Sequence, residues 1–413
     1  MGKYYDIDPE TCSLEELREA IEICKNKAEF FDACQQGVKI FLNSVYGAMA
    51  ASAYVCNNLD IAESITLQGQ DLIKYSANVI NVYFANTWHI DKDVHAAIAD
   101  QMIKKYPEFN KERFMQLAAK PIQIGSTLQV YGDTDSAYIT LDPVIKSCQI
   151  PIEQQTDFIL ALNDCMLDGY LNHQFDVYAE TWNCPENKEK FELEKIARLL
   201  LMQAKKKYVM DIAWTDDGTF HKPLHKITYK GIEVVQGSTP DFCRTEMKEF
   251  IKYILNELNN GKQLVYGNLV AKLKEAKQRF AMQSPNSISK SFKISEYEKY
   301  ILNDKEKTIQ YTDATCPFHV RGAAVYNNLL YNDAKRYKSK YSFIKKGDKI
   351  KFYYTKGGGV FSFIPDAFPL EFAPKMDIDE QFTKMILDPL NRIITIVGFA
   401  EVPKNLTYSC GLF

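Results

Sequence analysis

Asp133 and Asp135 stand two residues apart in Tyr131-Gly132-Asp133-Thr134-Asp135-Ser136. Apolar residues approach them (Ile122, Ile124, Leu128, Val130) and leave them (Tyr138, Ile139, Leu141). Alternation in the flanking runs predicts a β-hairpin with both carboxylates on one side of its tip and Thr134 opposite. Like charges that close repel unless a cation lies between them. Magnesium suits such a tip, because it takes oxygen ligands, usually a couple of carboxylates plus substrate phosphates. An Asp-rich turn is more often a solvated surface feature, so the pair alone does not decide.

A second constellation lies upstream in Lys39-Ile40-Phe41-Leu42-Asn43-Ser44-Val45-Tyr46-Gly47. On a helix, Lys39, Asn43 and Tyr46 share one face, and Phe41, Leu42 and Val45 fall on the other, where they can pack. The polar face offers a cation, an amide and an aromatic ring, followed by Gly47, where another molecule can approach closely. That surface suits a nucleoside triphosphate, with Lys39 on phosphate oxygens and Tyr46 beside the base pair. The plain alternative is an amphipathic helix whose polar face meets water. Further on, Lys205-Lys206-Lys207-Tyr208 interrupts an apolar strand pattern between "LLLMQA" and "VMDIAW". Three consecutive lysines ordinarily mark a strand end or a solvated edge.

Together and in this order, the three stretches resemble the motifs of family B DNA polymerases. "YGDTDS" resembles the second palm carboxylate motif, motif C. Residues 39–47 match the fingers motif KxxxNSxYG, motif B, and residues 205–208 resemble the KKxY motif. "KGIEVVQGSTP" and "CPFHVRGAAVYN" resemble the palm–thumb junction and thumb segments of the T-even-like phage replicative branch. The similarity runs, with gaps, from about residue 25 to residue 360. It implies an α+β fold: an antiparallel palm sheet with helices, a fingers helix, and a mostly helical thumb with a small β part. The implied divisions are fingers 1–50, palm 51–237, thumb 238–400 and a tail 401–413.

The resemblance also implies roles. Asp135 would bridge two magnesium ions, with Asp133 more accessory. Lys39, Asn43 and Tyr46 would bind the nucleotide. Gly47, Thr134, Lys205, Lys206, Lys207, Tyr208 and Arg321 would face DNA. The C-terminal Leu412-Phe413 would dock on a sliding clamp. One carboxylate is missing, because the family's first palm motif, roughly DxxSLYPS, has no counterpart before Lys39. "YYDIDPE" carries aspartates but has neither an apolar strand ahead of it nor SLYP after it. Also absent are the first fingers helix, the tyrosine that excludes ribonucleotides, and the proofreading exonuclease.

With half the cage, the expectation is weak magnesium binding without substrate and no synthesis by this chain alone. An opening Met and a capping box at Ser13–Glu16 look like a natural start. The chain therefore reads as the C-terminal subunit of a split polymerase acting on primer–template DNA and deoxynucleoside triphosphates. Its partner would carry the exonuclease and motif A. The alternatives are a non-catalytic DNA-binding scaffold relic and a fragment of a longer single-chain polymerase. Retention of Lys39, Asn43, Tyr46, both aspartates and the lysines together argues against a relic.

The elements that must position these residues follow from periodicity. A helix is expected from Ser13 to about Tyr46, with Ile21, Cys24, Ala28 and Phe31 as one buried stripe. A second runs from about Leu59 to Phe84, and a polar segment follows to about Lys120. One or two helices are expected over 150–180, then strands in "FELEKIARLLLMQAKKKYVMDIAW" and "LHKITYKGIEVV". Ser238-Thr239-Pro240 signals a helix start, with long helices to about Phe280 and a domain boundary near 237. From 335 to 360 a basic run (Lys335, Arg336, Lys338, Lys340, Lys345, Lys346, Lys349, Lys351, Lys356) is interleaved with Tyr337, Tyr341, Phe343, Tyr353 and Tyr354. In a thumb this reads as a surface for DNA phosphates, without sequence preference. Cys316 and His319 lack a second pair at zinc-finger spacing and read as structural.

A chain of 413 residues with 46% apolar and 25% charged content suits two or three soluble domains. The net charge of −3 neither favours nor excludes nucleic acid, which needs a basic patch rather than a basic total. Ten cysteines without a CxxC read as reduced thiols. No signal-like or membrane-length apolar stretch is visible, so a cytoplasmic protein without a membrane partner is expected.

Overall fold

The computed structural model describes residues 11–133, 136–295, 297–303, 310–311, 315–337 and 339–407. Helices α1 (Leu14–Met49), α2 (Leu59–Val82), α3 (Lys92–Lys105) and α4 (Lys111–Ala118) precede the hairpin β1–β2 (Gln129–Asp133, Ser136–Ile139). Helices α5 (Asp142–Ser147), α6 (Gln155–Leu162) and α7 (Asp168–Thr181) lead to β3 (Lys195–Ala204), β4 (Lys207–Thr215) and β5 (Ile227–Lys230). Next come α8 (Asp241–Asn259), α9 (Tyr266–Ala281), α10 (Pro285–Ile288), β6 (Lys290–Lys293), α11 (Tyr297–Tyr300), β7 (Ile301–Asn303) and β8 (Gln310–Tyr311). The last elements are α12 (Phe318–Asn332), α13 (Ala334–Tyr337), β9 (Lys349–Thr355), β10 (Gly359–Phe363), α14 (Ile378–Phe382) and α15 (Asp388–Ile396). The architecture is α+β: many helices with small antiparallel sheets. Among the described residues no helix is long and apolar enough to cross a membrane.

The chain divides into two compact units, Met1–Asp91 with Ala118–Ser147, and Lys92–Leu117 with Cys148–Phe413. In the first, α1 starts where its sequence says. Ser13 Oγ accepts from Glu16 N (3.3 Å), and Glu16 Oε2 accepts from Ser13 N (2.9 Å). That reciprocal bonding, with the carboxylate accepting from the backbone N–H, also holds Glu16 below its ordinary pKa. The expected buried stripe is not buried. Phe31 is 65% exposed, Ile21, Cys24 and Ala28 are exposed, and Ala20 is the buried residue of α1. Nor do Phe41, Leu42 and Val45 pack, since all three are exposed. An amphipathic pattern specifies a face to bury, but burial needs a second element, and none of the described residues covers this one. Helix α2 is capped by Asn58, which accepts from Ile61 N (3.0 Å). Its far end continues through a π turn, Tyr83–Thr87, into buried Trp88, whose ring lies 5.6 Å from that of Phe84.

In the second unit the segment up to Lys120 is more ordered than its polarity suggests. It forms α3 and α4, with Ile98, Met102 and Phe114 buried and the Phe114 and Phe158 rings 5.9 Å apart. The apolar positions are few but fall one helical turn apart. Strands β3-β4-β5 form one antiparallel sheet and β10-β9-β6 another. A single apolar cluster runs from Leu201 and Val209 through α8, α9 and α12 to Leu406. Two local expectations change. Pro240 itself is the N-cap of α8, with no side-chain cap, and Thr239 is buried rather than capping. Lys205-Lys206 is not strand but the turn joining β3 to β4.

Candidate active site

The aspartate hairpin is antiparallel, with Tyr131 opposite Tyr138, Gly132 opposite Ala137 and Asp133 opposite Ser136. The Tyr131 and Tyr138 rings form a cross-strand pair 5.2 Å apart, which favours this register over a slipped one. Asp133 ends β1, half-buried, and its carbonyl accepts from Ser136 Oγ (3.3 Å). Thr134 and Asp135 lie outside the described residues. Asn81 on α2 clips the hairpin base: it donates to Thr127 Oγ1 (2.9 Å) and accepts from Leu128 N (2.8 Å). At Gly132 a Cβ would come within 2.6 Å of Gln129 Nε2 and 3.0 Å of Ile73 Cγ2. The hairpin therefore rests against α2 at Ile73, with space for glycine and little more.

Helix α2 also receives the end of α1. Tyr46 Oη and Thr66 Oγ1 are 2.6 Å apart in a hydrogen bond. Thr66 and Ile73 are seven residues apart, which puts them on one face of α2 about 10 Å apart along its axis. One helix face thus carries the tyrosine of the upstream motif and the strand that ends in Asp133. Lys39 and Asn43 are exposed on α1, and Gly47 has nothing within 4 Å of where a Cβ would sit.

The lysine motif belongs to the second unit. Lys205 and Lys206 are exposed at the tip of the β3–β4 hairpin, and Lys206 has φ +62. That left-handed backbone is uncommon for a residue with a side chain. Lys207 is half-buried, and Tyr208 is 6% exposed, opposite Lys230 of β5. Gly231 follows β5 at φ +63, and a Cβ there would lie 2.1 Å from the Lys206 carbonyl oxygen. Tyr208 and Gly231 hold the turn from below, so the cations alone reach outward.

Residues 15–151 match the model of DNA polymerase family B. The DNA-directed DNA polymerase of Enterobacteria phage T4 is 26% identical over 332 residues, 76% of this chain and 31% of that protein. The DNA-directed DNA polymerase of Escherichia phage RB69 is 22% identical over 305 residues, 71% of this chain and 28% of its own length. The catalytic subunit of the Psittacid herpesvirus 1 DNA polymerase is 23% identical over 240 residues, 58% of this chain and 18% of the viral one. Over residues 15–151, about a third of its length, the chain is similar to DNA polymerase family B. It spans under a third of the length of these relatives. The two phage proteins represent the branch that its thumb-like segments resemble.

Similarity to family B raises the question of magnesium. Among the described residues no group of three or more His, Cys, Asp or Glu side chains could hold a metal ion. Asp133 supplies the right donor, a carboxylate oxygen at a hairpin tip. A magnesium shell needs more oxygens than it offers. The donor type therefore fits, and the set is incomplete without Asp135, substrate phosphates and a further carboxylate.

The remaining family B candidates separate by exposure. Arg321 Nε donates to the Cys316 carbonyl (2.8 Å), and its guanidinium lies 5.6 Å from the Phe318 ring centroid. Cys316 is buried, and His319 stacks on Phe292 at 4.8 Å and 13°. Burial holds the His319 imidazole below its ordinary pKa. In the 335–360 run the two chemistries separate by burial. Tyr337, Tyr341 and Tyr353 are buried, while Lys335, Arg336, Lys340, Lys345, Lys346, Lys349 and Lys356 are exposed. These three tyrosines belong to the core, and Phe343 and Tyr354 pack partly buried against it. Lys338, Leu412 and Phe413 lie outside the described residues. Four supporting residues escaped the motif reading. Asn81 and Thr66 carried no signal, Gly231 was visible only as part of "KGIEVV", and Asp211 looked like one more strand residue. Asp211 is in fact fully buried and accepts from Leu224 N (3.0 Å) and Asn259 Nδ2 (2.7 Å).

Proposed function

We propose that this chain supplies the nucleotide-binding helix, the metal hairpin and the primer-strand turn of a template-directed DNA polymerase. Its substrates are primer–template DNA and deoxynucleoside triphosphates. The observation that carries this reading is the shared face of α2. It holds Tyr46 and the strand ending in Asp133 two helical turns apart, the proximity a nucleotide and its metal ions require. Similarity to DNA-directed DNA polymerases of two phages supports it.

Each residue then has a task. Lys39 neutralises triphosphate oxygens, Asn43 lies on the same face, and Tyr46, tied to Thr66, stands beside the nascent base pair. Asp133 and Asp135 would hold magnesium through their carboxylate oxygens. Magnesium, when bound, activates the primer hydroxyl and supports the leaving pyrophosphate. Lys205, Lys206 and Lys207 neutralise primer-strand phosphates, and Tyr208 braces their turn. A lysine held at φ +62, where glycine would be less strained, supports a role for its side chain. Gly47 and Thr134 line the path of the DNA. Arg321 and the exposed lysines of residues 335–356 grip duplex phosphates. In this scheme residues 1–50 are fingers, 51–237 palm, 238–400 thumb and 401–413 a tail whose Leu412-Phe413 docks on a sliding clamp. The carboxylate of motif A comes from a separate subunit that also carries the exonuclease, and the assembly works in the host cytoplasm.

Primer extension tests the scheme. The chain mixed with a polypeptide bearing the exonuclease and motif A should extend a labelled primer, and Asp135→Ala should abolish extension. The chain alone should bind primer–template DNA in a salt-sensitive way without extending it. Extension by the chain alone would sink the split arrangement. Absence of DNA binding at low salt would sink the polymerase reading altogether.

A further inference from the structure

Two polar residues break two apolar patterns at one point of the second unit. In the β3-β4-β5 sheet, Leu201, Val209 and Tyr229 stand in one cross-strand row, and Leu199, Asp211 and Ile227 in the next row on the same face. Val209 and Ala213, the neighbours of Asp211 on that face of β4, are fully buried, and so is Asp211. On α8, Cys243, Met247, Phe250, Ile251, Ile254 and Leu255 form the buried stripe at helical spacing. The next position of that stripe is Asn259, whose Nδ2 donates to Asp211 Oδ2 (2.7 Å). Asp211 Oδ1 accepts from Leu224 N (3.0 Å), and Arg198 Nη1 lies 3.9 Å from Oδ2.

Apolar contact alone would fix the helix poorly, because burial has no direction and a stripe can slide along an apolar face. Apolar side chains in place of a buried charged pair often hold layers together equally well. What the polar pair adds is register, since its hydrogen bond is satisfied at one placement of α8. Register matters because of what lies on either side. Asp211 is four residues along β4 from Lys207, where the lysine turn closes. The apolar cluster continues through α8 to Ile350 and Tyr353 of β9, beside the exposed Lys349. We infer that Asp211 is a positioning residue for DNA. Through Asn259 it sets α8 against the sheet, so that the Lys205-Lys206 turn and the basic run of residues 335–356 meet phosphates of one duplex together. This inference rests on the polymerase reading above.

The test is the slope of log affinity against log salt for a primer–template duplex, measured on the full chain by fluorescence anisotropy. Asn259→Asp sets a second carboxylate against Asp211, and the two repel. Asp211→Asn added to that variant restores the hydrogen bond with donor and acceptor exchanged. Asn259→Leu removes the donor without adding charge, and serves if circular dichroism shows the aspartate variant unfolded. With the register loose, the duplex stays on the longer basic run and loses the turn. Either break should therefore lower the slope by about 1.8, the share of two lysines at about 0.9 each, and the exchanged pair should recover it. Lys205→Ala with Lys206→Ala should lower the slope equally in the unaltered chain and no further in a broken one. A merely structural pair would leave the slope of the folded protein unchanged and the lysine losses additive, which would overturn the inference. So would an exchanged pair that fails to restore the slope. A chain that binds no duplex at low salt would sink the polymerase reading itself, and the role of Asp211 with it.

Discussion

Gly231→Ala tests how the lysine turn is held. The added Cβ would meet the Lys206 carbonyl oxygen at 2.1 Å, with Lys206 C and Lys207 Cγ both at 3.2 Å. Ordinary contact begins at about 3.4 Å, so backbone must move by more than 1 Å. The residue also sits at φ +63, where a side chain costs about 1–2 kcal/mol. Overpacking against backbone adds about 1–3 kcal/mol, for a total of roughly 2–5 kcal/mol. Gly218→Ala is the control. Its φ is +80 but nothing lies within 4 Å, so it carries the conformational strain without the collision. The assay is tryptic cleavage after Lys205 and Lys206 under native conditions, alongside the urea midpoint. Even about 2 kcal/mol of local opening would speed cleavage roughly thirty-fold, since 1.4 kcal/mol is a factor of ten. If Gly231→Ala opens the turn no more than Gly218→Ala lowers stability, the close approach is not what holds the lysines in place.

The remaining predictions concern the same unit. Asp211→Ala leaves Asn259, Leu224 N and the partly buried Arg198, 3.9 Å away, without their carboxylate, and should cost about 3–5 kcal/mol by urea unfolding. Burial depresses the His319 pKa, so the unfolded chain takes up this proton first as pH falls. The stability involved is present above about 6.5, the ordinary His value, and is lost as pH drops through the folded value. His319→Phe, which keeps the ring on Phe292, should flatten that part of the pH profile of the urea midpoint; an unchanged slope would refute it. Lys205→Ala and Lys206→Ala should weaken DNA binding alike for all sequences and lower the slope of log affinity against log salt by about 0.9 each.

Much of this protein was legible in order of residues alone. The capping box at Ser13–Glu16, the period of α2, the hairpin around Asp133 and the strands flanking the lysines are local, and local bonding produces them wherever the chain lies. The resemblance to family B rested on the same short stretches. What the sequence could not decide was which faces meet. The apolar stripe of α1 has a buried element's pattern and is exposed, because periodicity states a preference and only a second element satisfies it. Tyr337, Tyr341 and Tyr353 stand among exposed lysines in the sequence, yet tertiary packing buries them. Thr66, Asn81 and Gly231 acquire meaning only through residues 20, 46 or 47, and 25 positions away, at Tyr46, at Thr127 and Leu128, and at Lys206. Such contacts depend on how separated segments pack, and no local pattern encodes them.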